Sequence, residues 1–381
     1  MKKGIKRTLK VLSLIIAVVL TSAFLQEYIL CDFDHNRERI KGFYLEKDNS
    51  LDVMFLGASE AYCDFAPGYA YQKYGFTSYL YASQSTSILS CKYKLKEVLK
   101  TQKPKLIVIE LNSAVYGSDA RVRMEANIRH FVDNAPLSWD KYEFAHGYDP
   151  DNEWEYVFPL IKYHDAWKNI PEDTELLGTI VNDKFRGSNY LKGMRNETRA
   201  YKSKQKPLNE VMINDNKNVP LTRLSEKTLR ELLQFCKDNK LDNVVFARFP
   251  HVVTKKTVTR FYRSNAVADI VREYGYDFIN YEKNYTETGI DFSKDFYNID
   301  HLNVYGQRKF TDFFSKVIMD RYGIKKSNLS PELKKEWDTA SDYYNAYYQY
   351  SDEVIKSGRI TDLDEGVVED AGFKKYLKNK Q

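Results

Sequence analysis

Residues 51–60, LDVMFLGASE, set a short apolar run rich in strand formers (Leu51–Leu56) against an abrupt stop at Gly57. Helix-permissive sequence follows around Pro67–Tyr74, with Gly75 as its stop, and Thr77–Ala82 (TSYLYA) alternates as a strand does. From Thr86 to Thr101, Ile88, Leu89, Tyr93, Leu95, Val98 and Leu99 recur near helical spacing. Pro104 then opens Leu106–Leu111 (LIVIEL), nearly all apolar, the pattern of a strand buried on both faces. Strand, helix, strand, helix, strand at this spacing predicts an α/β domain: a three-layer arrangement with a parallel sheet, flanking helices and right-handed crossovers.

The rhythm returns further on. Ser225–Asn239 is helical in pattern and opens on a Ser225-Glu226 pair like a capping box, though its spacing is imperfect. Asn243–Phe249 (NVVFARF) reads as a buried strand stopped by Pro250, Val258–Tyr274 as a helix, Asp277–Ile279 as a short strand, and Asn303–Tyr322 as a final helix. Between the halves, residues 116–221 are polar, aromatic and irregular, with Trp139, Trp154 and Trp167 scattered through them. This stretch reads as a long insertion forming a lid or substrate wall. Residues 331–381 are a Tyr-rich helix followed by a charged tail, with Trp337, Tyr344, Tyr347 and Tyr348 near one face, a pattern of ordinary packing. The α/β domain is therefore expected over residues 45–330.

The chain has 381 residues, 43% hydrophobic and 29% charged, enough for a substantial core. Its net charge of +5 comes from Lys2, Lys3, Lys6, Arg7 and Lys10; without them 53 basic residues face 53 acidic ones, which argues against a nucleic-acid-binding body. That basic tag precedes Val11–Leu25, an apolar run that fits a secretory signal or a single membrane anchor. Thr21, Ser22 and Ala23 offer a cleavage site, but Tyr28, Ile29 and Leu30 extend the apolar character, which favours an uncleaved anchor over residues 1–30. The Cys31 context lacks the small residue of a lipoprotein signal. The basic end then stays in the cytoplasm and the rest lies outside. Four well-separated cysteines (Cys31, Cys63, Cys91, Cys236) form no CxxC pair, so no zinc site is expected, and so few suit a Gram-positive-like surface.

No HExxH, G-x-S-x-G or P-loop occurs. Two loops do carry chemistry. Gly57-Ala58-Ser59-Glu60 ends the first strand, and Asp295–Asn303 precedes the last helix with His301 inside it. In an open parallel sheet ligands collect at the carboxyl ends of strands, which is where Ser59 falls. Serine needs a base to take its proton, and His301 follows in the right order to serve. A carboxylate or amide must orient the imidazole through its other nitrogen. His251, after Pro250 at a strand end, is a candidate substrate-facing residue, whereas His164 beside Asp165 reads as a local hydrogen-bonding pair. Asn196-Glu197-Thr198 and Asn284-Tyr285-Thr286 match glycosylation sequons by chance.

On LGASEAYCDFAP (56–67), PKLIVIEL (104–111) and DFYNIDHLNVYGQRKFT (295–311), the chain resembles the SGNH (GDSL-like) hydrolase superfamily. The likeness is to its membrane-anchored bacterial branch, which includes D-alanyl transfer and alginate-type O-acetylation proteins. It covers residues 50–111 and 227–322. The resemblance implies a flavodoxin-like sheet, Ser59 as nucleophile and His301 as base. The family's acid three residues before the histidine is replaced by Asn298, leaving Asp300 or Asp295 as substitutes if the loop folds suitably. Glu60 stands where the branch often has His, the second-block glycine is not evident near Ala82-Ser83-Gln84-Ser85, and Asn112 falls where the family has its oxyanion-hole asparagine. Glu110 beside it reads as a buried polar partner.

The expectation is thus a membrane-anchored serine esterase or O-acyltransferase without cofactor or metal. It would act on a cell-envelope polysaccharide or teichoic polymer, using Ser59, His301 and Asn298 or Asp300, with Gly57, Asn112 and His251 lining the oxyanion and substrate region. The resemblance also implies a membrane-bound O-acyltransferase as upstream donor. The alternative is a catalytically weak scaffold that binds glycan or tethers an envelope assembly.

Overall fold

The computed structural model describes residues 2–28, 35–165, 190–195, 208, 213, 216–283, 285–358, 373 and 375–377. Cys31, Trp167, Asn196, Asn284 and most of the tail after 358 lie outside them. The described chain falls into two compact units, one of residues 1–33 with 132–187, the other of residues 34–131 with 188–381.

In the second unit, β1 (Val53–Gly57), β2 (Ser78–Ala82), β3 (Leu106–Glu110), β4 (Val244–Arg248) and β5 (Asp277–Asn280) form one parallel sheet in the order β2-β1-β3-β4-β5. The expected α/β sheet with flanking helices is present, and the order reverses between β1 and β3. Every residue of β1 to β4 is buried, which explains why they are largely apolar, with Glu110 and Arg248 as charged exceptions at the ends of β3 and β4. The helices start and stop on local chemistry. Helix α4 (Pro67–Tyr74) has Pro67 in its first turn and ends at Gly75, whose φ of 82° is the left-handed stop foreseen in the sequence. Helix α5 (Ile88–Thr101) is capped by the Ser87 hydroxyl, which accepts from the Leu89 amide. Helix α6 (Arg223–Asp238) begins earlier than expected. Thr222, not Ser225, is its cap, and the Thr222 hydroxyl accepts from the Ser225 amide, so the suspected box at 225 is instead the interior of the first turn. Helix α7 (Val258–Glu273) links β4 to β5, and α8 (Val304–Tyr322) is capped by Asn303, whose side-chain oxygen takes the amides of Tyr305 and Gly306.

Two further helices frame the site, the first unread in the sequence and the second starting at Ser59, where the sequence placed a helix start. Helix α2 (His35–Phe43) is short and polar on average, yet it packs on β2 with Phe43 fully buried between Tyr79 and Tyr81. Helix α3 (Ser59–Asp64) occupies six residues directly after β1. The core beneath is aromatic. Phe55, Phe65, Phe249, Phe310 and Phe314 form a ring cluster between β1, β4 and α8, with edge-to-face, tilted and stacked pairs. Helix α9 (Pro331–Lys356) seals it on α4, with Trp337 and Tyr344 buried as the one-face pattern implied and Gly68 lying 2.9 Å, at an added Cβ, from the Ala340 carbonyl.

Helix α1 (Lys2–Tyr28) contains Gly4–Leu25, 22 residues of mean hydropathy 2.2, the one helix among the described residues long and apolar enough to span a bilayer. Its unit also holds helices at Trp139–Tyr148, Glu153–Val157 and Pro159–Lys162, with Trp139, Tyr142, Trp154 and Phe158 in ring contact. The expected insertion over 116–221 is therefore not one body: its ends, 116–131 and 188–221, belong to the sheet unit.

Gly306 is where the sheet unit tolerates no side chain. A Cβ there would lie 2.2 Å from the Asp295 carbonyl oxygen and 2.9 Å from the Leu302 side chain. Gly306→Ala must push the 295–302 loop off the helix, and it is expected to cost roughly 1–3 kcal/mol, the usual penalty of overpacking. A lowered thermal midpoint of the full-length protein in detergent checks this; an unchanged midpoint contradicts it.

Candidate functional site

All five strands point their carboxyl ends at one edge, and the chemistry-bearing residues follow those ends. The β1–β3 register sets Leu56 beside Ile109, so Gly57 adjoins Glu110, and Ser59 and Asn112 each follow two residues later. An added Cβ on Gly57 would meet the Glu110 Cβ at 2.9 Å, so the close approach of these two strand ends requires the glycine. This is the switch point of the sheet, where its topology opens a crevice. His251 lies three residues beyond β4, and Glu282 two beyond β5.

The 295–303 loop closes on itself before meeting α3. Phe296 and Leu302 form an antiparallel bridge, the Tyr297 amide donates to the His301 carbonyl (3.1 Å), and the Asn303 amide to the Asp295 carbonyl (2.9 Å). From this hairpin the Leu302 amide donates to Asp64 Oδ1 (3.0 Å), while Gln307 Nε2 donates to the Cys63 carbonyl (2.6 Å). The 295–303 hairpin is thus bonded to α3, the helix that begins at Ser59, across 238 positions of chain.

The hydrogen bonds fix the state of His301. Asn298 Oδ1 accepts the backbone amides of Asp300 (2.8 Å) and His301 (3.0 Å), so the amide oxygen, not its nitrogen, faces inward. The same oxygen lies 3.0 Å from His301 Nδ1, which must therefore carry the proton. Nε2 is left as a bare lone pair, shielded from solvent and without a hydrogen-bond partner. Burial lowers the imidazole's pKa, against the opposing pull of Glu60 and Asp300, which keeps this neutral form in place. The ring stacks on Tyr297 at 5.3 Å. Asp300, considered as the orienting acid, instead pairs with Arg260. Asp295 is buried and takes the Asp291 amide and Lys309. Both are engaged away from the imidazole, and Asn298 alone occupies its Nδ1 side.

Ser59 is half-buried, and its Oγ donates to Glu60 Oε2 at 3.3 Å. Glu60 is 1% exposed and its other oxygen lies 3.1 Å from His251 Nε2. His251 Nδ1 faces the Phe249 carbonyl (2.7 Å), which can only accept, so the Glu60–His251 bond holds a proton between a carboxylate and an imidazole that is already protonated on its other side. His251, expected on the cleft wall, is 3% exposed with both ring nitrogens occupied. Burial alone would raise the Glu60 pKa, but the bond from His251 and the nearby Arg248 charge hold it well below the usual carboxylate range.

Beneath this lies a layer that sequence reasoning missed. Arg248, the last residue of β4 and fully buried, donates through Nη1 to Glu110 (2.6 Å), through Nη2 to Glu282 (2.8 Å) and through Nε to Ser264 (3.2 Å). Glu110 Oε1 also takes the Asn112 amide (2.9 Å), and burial pushes the Glu110 carboxyl up to about 7 despite Arg248. Asn112 is buried with its side-chain oxygen unpartnered. The signal was present: an arginine inside NVVFARF and a glutamate inside LIVIEL have no solvent to reach and must find each other. On the far side of Gly57, fully buried Lys94 donates to the Gly57 carbonyl (3.3 Å), Ser83 Oγ (2.8 Å) and Thr86 Oγ1 (2.7 Å). It joins the turn before Ser59 to the loop after β2. Among the described residues no group of three His, Cys, Asp or Glu is placed to hold a metal ion.

No family model matches this chain, and no curated protein matches it.

Lys94 yields a pH signature. Burial without any carboxylate partner among the described residues lowers its pKa to about 7, against about 10.4 in an unfolded chain. Below pH 7 both states hold the proton and the folded state bears the whole cost of a buried ammonium. Between roughly pH 7 and 10 the unfolded state binds more protons than the folded one, so this contribution to stability rises with pH. Wild type should therefore gain stability relative to Lys94→Met as pH climbs through that window, read from urea midpoints; a pH-independent difference contradicts the assignment.

Proposed function

We propose that this chain is a membrane-anchored, extracytoplasmic serine acyl-ester enzyme of the SGNH type. In this reading Ser59 Oγ attacks the acyl carbon, His301 Nε2 takes the hydroxyl proton and returns it to the leaving oxygen, and the acyl group rests on Ser59 as an ester. Water or a sugar hydroxyl, deprotonated by the same Nε2, then releases it. The observation that carries the reading is the state of His301: Nδ1–H held by Asn298 and a bare, buried Nε2 give the tautomer a general base requires. The hydrogen bonds between the His301 loop and α3 support it further, as does the place of Asn112, an oxyanion donor in this reading, two residues beyond β3 next to the strand that leads to Ser59. In the free protein Ser59 Oγ bonds Glu60 and His301 Nε2 has no partner, so this reading requires the two to meet on substrate binding, where catalytic bonds commonly tighten. The apolar N-terminal helix and its basic flank support an anchor with the body outside. A cell-envelope polysaccharide or teichoic polymer is the proposed acceptor, and a membrane-bound O-acyltransferase the proposed donor.

One observation favours a second reading, a catalytically weak glycan-binding scaffold. Ser59 is turned to Glu60, and an amide replaces the acid, so an imidazolium formed at His301 lacks a carboxylate to stabilise it. A fluorophosphonate probe separates the two. Expected are labelling of the full-length protein, none of Ser59→Ala, labelling slowed by about 100-fold or more in His301→Ala, and faster labelling of Asn298→Asp. Equal labelling of wild type and Ser59→Ala refutes the enzyme reading.

A further inference from the structure

The base of the His301 hairpin borders a second feature. A pocket of about 470 Å³ is lined by Ser293, Lys294, Asp295, Tyr305, Arg308, Lys309 and Tyr348, within the size range of small-molecule sites. Its cations differ in how they are satisfied. Lys309 pairs with Asp295 (2.6 Å) and Lys294 with Asp291 (3.4 Å). Arg308 has no carboxylate partner among the described residues. Its guanidinium instead lies over the rings of Tyr69 (4.8 Å) and Tyr348 (4.6 Å). Stacking uses the faces of the guanidinium, a hydrogen bond to Tyr69 takes part of its N–H edge, and the remaining N–H groups are left to grip an oxyanion. Tyr305 and Tyr348 add ring faces of the kind that sugar and polyol C–H groups pack on, and Tyr305 is held in place by its bond to Asp352 (2.8 Å).

We propose that this pocket binds an anionic saccharide or polyol unit, one oxyanion seated on Arg308 and its carbon skeleton against Tyr305 and Tyr348. The chemistry follows from the residues: one uncompensated guanidinium asks for one negative charge, and the phenol rims ask for a saturated, hydroxylated body rather than a lipid tail. The hairpin fixes the geometry relative to His301. Asn303 Nδ2 holds the Lys294 carbonyl (2.7 Å) at the pocket, and His301 sits near the tip, about three residues or roughly 10 Å further along. A repeating anionic polymer held on Arg308 would present a neighbouring unit towards the tip. Binding uses neither Ser59 nor His301, so it stands or falls separately from the ester chemistry.

The test is titration of the full-length protein in detergent with oligo(glycerol phosphate), oligogalacturonate and neutral dextran oligomers, followed by calorimetry. At least one anionic oligomer is expected to bind with Kd below about 1 mM, which also distinguishes phosphate from carboxylate as the oxyanion. Added NaCl should weaken it. Arg308→Gln and Tyr348→Ala should each weaken it about tenfold, and Ser59→Ala should leave it unchanged. Thermal midpoints confirm that the variants are folded; if Arg308→Gln is not, Arg308→Lys replaces it, expected to bind more weakly because it keeps the charge but loses the fork. Failure of both anionic oligomers to bind, equal binding by the arginine variant, or equal binding of dextran overturns the proposal.

Discussion

Arg248 is the constraint around which the carboxyl edge is built. A guanidinium with no exposure to water is costly unless every donor finds an acceptor, and here Glu110 from β3, Glu282 from beyond β5 and Ser264 from α7 supply them. One side chain therefore ties three strand ends and a helix in a single arrangement. Glu110 passes the constraint on by accepting the Asn112 amide and packing against Gly57, which sets where the chain leaves β1 for Ser59. Such a cluster contributes less to stability than an apolar replacement of equal volume often does. What it contributes here is placement of three loops within one charged, water-poor layer.

In the site above that layer, the tautomer of an imidazole and the negative charge are set by different residues. Selecting the histidine tautomer needs only an acceptor of fixed position, and Asn298, anchored by two backbone amides, meets that need. Negative charge lies instead on Glu60, held ionised by His251 and next to Ser59. Asp64, about one turn away on the same short helix, is pushed by burial well above the usual carboxylate range while bonding the Leu302 amide. Two acids on one six-residue helix thus sit in opposite protonation regimes, because one has an imidazole partner and the other a single amide.

Much of the framework could be read from residues alone. LIVIEL and NVVFARF are buried strands because neither face offers a polar alternation, and Gly75 ends α4 where the pattern required a left-handed residue. Helix α2 was not legible, since HNRERIKGF is polar by composition and its burial depends on Phe43 fitting between two tyrosines of β2. The cap of α6 was misplaced by three residues because Thr222 and Ser225 are both good capping residues and only the backbone decides between them. At the site, Ser59, His301 and their immediate partners Glu60 and Asn298 were visible as motif residues, whereas the partner that sets the state of Glu60 came from elsewhere: His251 lies 191 positions away.

By itself the sequence determined the alternation of strands and helices, the apolar helix at the start and the two loops that carry a hydroxyl and an imidazole, because periodicity and turn residues act locally. Tertiary structure alone decided that Asn298 faces the imidazole while Asp300 turns to Arg260, that His251 serves Glu60, and that Arg308 lies between two tyrosines without a counter-charge. Each of those choices brings in a residue distant in the chain (Arg260 for Asp300, His251 for Glu60, Tyr69 and Tyr348 for Arg308), and only folding sets the distances that settle it.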